Sequence, residues 1–205
     1  MTACLQRLRQ LLLGLMAAVI TWLPLAPAHA DAGAFLASAS YSDLQVALEQ
    51  NHDPQRQADL EQLSAAIAAS DDRAQLSNAS SHNIGVFARY KKDPVDAAAS
   101  FYVLAPGHET DDDYELLALL VPPQVAVNWS ESGAVAAAAT PRLLRILEGE
   151  QLSLSDPASA APDGAVTYQL NLPAFSVDTS LAGVTDVPGF SQSQLDLELE
   201  TAPLD

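Results

Sequence analysis

The stretch Tyr114-Glu115-Leu116-Leu117-Ala118-Leu119-Leu120-Val121-Pro122-Pro123-Gln124-Val125-Ala126-Val127-Asn128-Trp129 decides how the rest of this chain is read. From Leu116 to Val121 it is apolar on both faces, the pattern of a central strand covered from each side. Pro122-Pro123 ends that strand, because proline brings no N–H to a ladder. Gln124 to Trp129 then resumes as a strand with Val125, Val127 and Trp129 on one side. Shared with two valines, Trp129 reads as a core residue rather than a binding platform.

Upstream, Asn83 to Tyr90 alternates, with Ile84, Val86, Ala88 and Tyr90 on one side and Phe87 and Arg89 on the other. Ser100 to Leu104 is aromatic and β-branched, and Lys91-Lys92-Asp93-Pro94 begins a turn-rich connection between the two. Residues 83–130 therefore predict four short strands in an antiparallel meander. Further upstream the period changes to that of helices. Ser42 and Gln45 resemble a capping box opening a helix over 43–50. Asp53-Pro54 is an N-cap and first-turn pair, followed by Leu60, Leu63 and Ile67 as an apolar stripe. The segment 31–76 thus reads as a helical pair, closed by a polar loop that includes Ser77 to Ser81.

Downstream, Thr140-Pro141 resembles another helix start, and Leu143, Leu144 and Leu147 predict a short helix over 140–149 stopped by Gly149. After a loop rich in Pro, Ala, Ser and Asp come two alternating runs. Val166, Tyr168, Leu170 and Leu172 form the first, and Leu195, Leu197 and Leu199 the second, so 165–200 reads as closing strands. The expected fold is α+β: an N-terminal helical pair, then one antiparallel sheet of five or six strands with helices packed on one face. It forms a single domain over 31–205.

Residues 1–30 carry the features of a cleaved signal peptide. Arg7 and Arg9 precede an apolar run from Leu11 to Leu25, and Ala28-His29-Ala30 offers small residues for cleavage. The only cysteine, Cys4, would leave with it, so the exported chain has neither disulfide nor thiolate chemistry. Periplasm, extracellular space and thylakoid lumen all lie behind such a signal, and no membrane span is expected after cleavage. Beyond residue 30 stand seven cations against 26 carboxylates, a balance of −19. That excludes nucleic acid as a natural partner, because phosphates reward clustered cations. It is compatible with solubility and with a basic protein partner.

Motifs for chemistry are sparse. No G-x-S-x-G elbow occurs, Gly189-Phe190-Ser191-Gln192-Ser193 failing it at the last position, and no glycine-rich phosphate loop is present. No catalytic residue, cofactor site or metal site is assigned. His52, His82 and His108 lack zinc-binding spacing. Asn78-Ala79-Ser80 and Asn128-Trp129-Ser130 match the glycosylation sequon. Two surface features remain. Glu109, Asp111, Asp112 and Asp113, inside the loop 107–115, are the candidate cation loop, although their spacing does not alternate like a calcium loop. Arg89, Lys91 and Lys92 gather three of the seven cations at a strand end and are the candidate partner contact. The sequence thus points to an exported, non-catalytic binding or accessory protein for another exported or membrane-associated complex. A cation- or small-ligand-binding protein and a hydrolase with a dispersed Ser/His/Asp site are the alternatives.

Overall fold

A computed structural model describes residues 39–70, 74–94, 97–129, 133–158 and 165–197. Among these residues two helices come first, α1 (Ala39–Gln50) and α2 (Pro54–Ala68). Ten strands follow: β1 (Gln75–Ala79), β2 (Ile84–Tyr90), β3 (Ser100–Leu104), β4 (Tyr114–Val121), β5 (Ala126–Trp129), β6 (Gly133–Val135), β7 (Arg142–Arg145), β8 (Gln151–Ser155), β9 (Thr167–Leu170) and β10 (Ser176–Asp178). A short helix α3 (Gln192–Leu197) comes last. The protein is therefore mostly β with few helices, within the broad α+β class. Among the described residues no helix is long and apolar enough to cross a membrane.

The strands make two five-stranded sheets, where the sequence predicts one of five or six strands. One sheet has the order β1-β8-β9-β5-β6 and the other β10-β7-β4-β2-β3. The chain passes between them several times, as from β4 to β5. Returning strands can then lie parallel to earlier ones, and β1 with β8 and β5 with β9 do so. The meander expected over 83–130 is likewise split. β2 takes both β3 and β4 as neighbours, while β5 belongs to the other sheet.

The two sheets enclose one apolar core. Ile84, Val86, Leu116, Leu119 and Leu144 meet Leu76, Val127, Trp129, Leu154, Tyr168 and Leu170 there. β4 is the covered central strand that its composition predicts. Leu119 and Val121 face this core, whereas Ala118 and Leu120 face a second cluster with Phe87, Leu143 and Val184. An irregularity between Phe87 and Ala88 skips Leu117 in the β2–β4 register. Pro122 to Val125 form the connecting turn, closed by Val125 N–H to the Pro122 carbonyl at 3.2 Å, with Gln124 at φ 64°.

Three stretches change type. Gln75–Ala79, spanning the end of the predicted helical segment 31–76 and the predicted polar loop, is strand β1, because Leu76 is buried in the core and the segment pairs with β8. The segment predicted as a helix over 140–149 holds strand β7, because Leu143 and Leu144 face opposite apolar clusters and the segment pairs with β4. Adjacent leucines suit a doubly covered strand as well as a helix face. Within the predicted closing strands, Gln192–Leu197 is helical: Leu195 is fully buried and Leu197 exposed. The decisive signal is a capping box at Ser191 and Gln194. Gln194 N–H donates to Ser191 Oγ at 3.3 Å, and Ser191 N–H donates to Gln194 Oε1 at 2.8 Å.

Asp53 caps α2, its carboxylate accepting from the N–H groups of Gln55 and Arg56. The capping box read at Ser42 is not used, because α1 begins earlier, at Ala39. Leu44, Leu60, Leu63 and Ile67 bury one another together with Leu147. Residues 71–73 and the segment 1–30 read as a signal peptide lie outside the described residues.

Candidate binding surface

Arg89, Lys91 and Lys92 lie at the end of β2 and in the turn after it, and each has a different environment. Arg89 donates from Nε to Glu115 Oε2 at 3.1 Å, across the β2–β4 pair. The Lys91 ammonium donates to the Asp112 carbonyl. Lys92 donates to the Tyr90 hydroxyl at 2.9 Å, and its Nζ lies 5.2 Å from the centre of that ring. The hydrogen bond to Tyr90 is the main reason its pKa is raised.

The tyrosines around these cations escaped the sequence reading. Tyr90 and Tyr114 are register partners on β2 and β4, with ring centres 5.5 Å apart. Tyr102 on β3 meets Tyr114 edge-on at 5.4 Å. All three are half-buried, and Tyr102 and Tyr114 pack against the shared core. Burial and the neighbouring Tyr102 raise the pKa of Tyr114. Alternation placed Tyr90 on the core side of β2, but only strand pairing could bring Tyr102 and Tyr114 beside it.

The candidate cation loop runs along the outer edge of β1. Asn78 N–H donates to the His108 carbonyl and Thr110 N–H to the Leu76 carbonyl, while Leu76 N–H donates to Thr110 Oγ1. Glu109 bridges to Ser77. Asp111 Oδ1 accepts from Asp113 N–H at 2.7 Å, and the Asp112 carbonyl is taken by Lys91. Glu109, Asp111 and Asp112 border an open hollow of about 580 Å³ with Gln75, Ser77 and His108. Among the described residues, no group of three or more His, Cys, Asp or Glu side chains is placed to hold a metal ion.

His82 and Asp196 do meet, Nδ1 to Oδ2 at 2.9 Å. The other carboxylate oxygen accepts from Asn83 N–H at 3.0 Å and Gln192 Nε2 at 2.9 Å. Nearby Ser80 gives its hydroxyl to Asn78 Oδ1 and the His82 carbonyl, at 2.7 and 3.1 Å. The pair thus holds α3 against the loop before β2, with a serine committed to backbone and amide rather than to the imidazole. Asn78 is itself fully buried, donating to the His82 and Leu104 carbonyls. As a glycosylation acceptor it is out of reach in the folded protein. His52 lies between α1 and α2.

A second hollow, of about 470 Å³, opens next to the tyrosines. Its lining includes Asp43, Lys91, Tyr114, Leu117, Arg145 and Leu181. Arg145 is held there by Asp43 at 2.6 Å and lies over the Phe175 ring.

In comparisons with known proteins, the chain matches no family model, no curated protein and no solved structure.

Proposed function

We propose that this chain is an exported, non-catalytic accessory protein that binds another exported or membrane-associated protein through the corner formed by Tyr90, Tyr102, Tyr114 and Lys92. In this reading residues 1–30 are removed on export to a periplasm-like or lumenal compartment, and 31–205 act as one domain. α1 and α2 form a pair packed over one flank of the sheets, held by Arg56, whose guanidinium donates to the Ala174 and Phe175 carbonyls.

The tyrosine cluster is the observation that carries the proposal. Tyrosine supplies large contact area with few rotatable bonds and a polar tip, which is why interfaces concentrate it. Three of the five tyrosines in the chain stand together here. Lys92 adds one of the few cations in a chain of net charge −17. The surrounding negative charge speeds encounter with a basic partner, and the aromatic corner supplies contact energy.

The test is co-purification from the native exported fraction, after cross-linking, of wild type against Tyr102→Ala and Lys92→Glu. The proposal requires one partner to be lost in both variants while their melting temperatures stay close to wild type. A partner retained by both would overturn it. N-terminal sequencing of the native protein tests the export reading separately.

A further inference from the structure

β4 is eight residues long, and β2 accompanies it from Tyr114 to Leu120. On its other side β7 reaches only Ala118 to Val121. One more bond follows, from Ile146 N–H to the Leu117 carbonyl at 3.0 Å. The chain then turns away through Gly149, whose φ is 84°. Tyr114, Glu115 and Leu116 therefore have a strand neighbour on one side only, with Tyr114 N–H turned back to the Asp111 carbonyl at 3.2 Å, and they border the 470 Å³ hollow. Leu117, Ile146 and Leu181 give this slot apolar walls, while Asp43, Glu115 and Glu148 supply carboxylates against Lys91 and Arg145.

We propose that this slot receives an extended, cation-bearing segment of a partner protein, which continues the line of β7 and pairs with Tyr114 to Leu116. The inference rests on the reading of the molecule as a binding protein and names what it binds. A half-paired strand in a groove is a template for strand addition: backbone bonds give affinity and side-chain contacts give selectivity. Charge selects the occupant. Around the lining the charges pair off, Asp43 with Arg145 and Glu115 with the neighbouring Arg89, so selection comes from the net charge of the chain, −17. A second copy would bring another −17 to the contact. The C-terminal residues 198–205 hold Glu198, Glu200 and Asp205 and no cation. Both are repelled where a basic strand is attracted.

The experiment titrates the isotopically labelled full chain with three acetylated octapeptides: alternating valine and lysine, alternating valine and glutamate, and the lysine version with a central proline. The lysine peptide is expected to bind saturably, to move the amide signals of residues 114–117 and 145–146, and to bind at least about tenfold tighter than either control. Proline removes a ladder donor and glutamate meets like charge. Ala182→Trp, a substitution at an exposed residue on the rim of the slot, is expected to abolish that binding without lowering the melting temperature. Equal binding of the three peptides, no saturable response, self-association in its place, or a response centred on the free edge of β3 would each overturn the inference. Loss of slot binding with the tyrosine-dependent partner retained would sink this inference alone. Loss of that partner dependence with peptide binding intact would sink the tyrosine corner alone.

Discussion

The indole N–H of Trp129 donates to Asp59 Oδ2 at 3.2 Å, and this bond ties α2 to β5 in the interior. Both residues are buried, and Arg56, one turn earlier on α2, lies close enough to balance the carboxylate charge. Asp59→Ala strands a buried donor and is expected to cost about 2 kcal/mol. Asp59→Asn keeps an acceptor and should lie between that variant and wild type. Urea denaturation checks the order.

Trp129 faces Gly133 across the β5–β6 pair. A Cβ at 133 would come within 1.9 Å of the indole nitrogen, so Gly133→Ala must displace the ring. The expected loss is about 1–3 kcal/mol from overpacking. Because the displaced indole also loses Asp59, Gly133→Ala and Asp59→Ala should combine less than additively. A double-mutant cycle in urea measures this.

Glu150 is buried, and that burial raises its pKa from 4.5 to about 8, with the Leu147 N–H and Arg145 opposing the shift. Between those two pH values the folded protein holds a proton that the unfolded chain has released. Stability from this group is therefore full below about pH 4.5, falls as pH rises toward 8, and levels off above. The span is of order 5 kcal/mol. Glu150→Gln should match wild type near pH 4.5 and exceed it by several kcal/mol at pH 8.5, as read by thermal melting at both values.

Gln124 occupies the third position of the Pro122–Val125 turn with φ 64°, where a Cβ is strained. Its side chain makes only a long contact, 3.4 Å to the Ala138 carbonyl. Gln124→Gly is expected to stabilise the protein by about 1 kcal/mol. An unchanged or lower melting temperature would refute this.

The acidic loop spends its backbone on β1 and Lys91, the Asp111 carboxylate accepts from Asp113 N–H, and among the described residues no three such side chains are placed to hold a metal ion. Calcium at millimolar concentration should therefore leave the melting temperature unchanged. A ligand that binds only the folded state would raise it.

Strand positions in the middle of the chain were legible because their side-chain pattern is local. Leu116 to Val121 is apolar on both faces, and β4 is buried on both. Arg142 to Glu148 was misleading because a few leucines in a short window satisfy a helix face and a covered strand alike. At the C-terminal end the alternation of Leu195, Leu197 and Leu199 masked the Ser191–Gln194 cap, a real local signal. For the candidate surface, the clustered cations were visible in sequence. Their tyrosine neighbours were not, since Tyr90, Tyr102 and Tyr114 come from three different strands.

The sequence by itself determined the charge balance, the helix start at Asp53-Pro54, the turn at Pro122-Pro123 and the central position of β4. Each of these depends on residues within a few positions of one another. Tertiary structure alone decided that there are two sheets and that Arg142–Arg145 extends as a strand. It also decided that β4 is left half-covered beside three tyrosines. Strand partners are chosen by burial across the whole chain, and no local window records which distant segment completes a sheet.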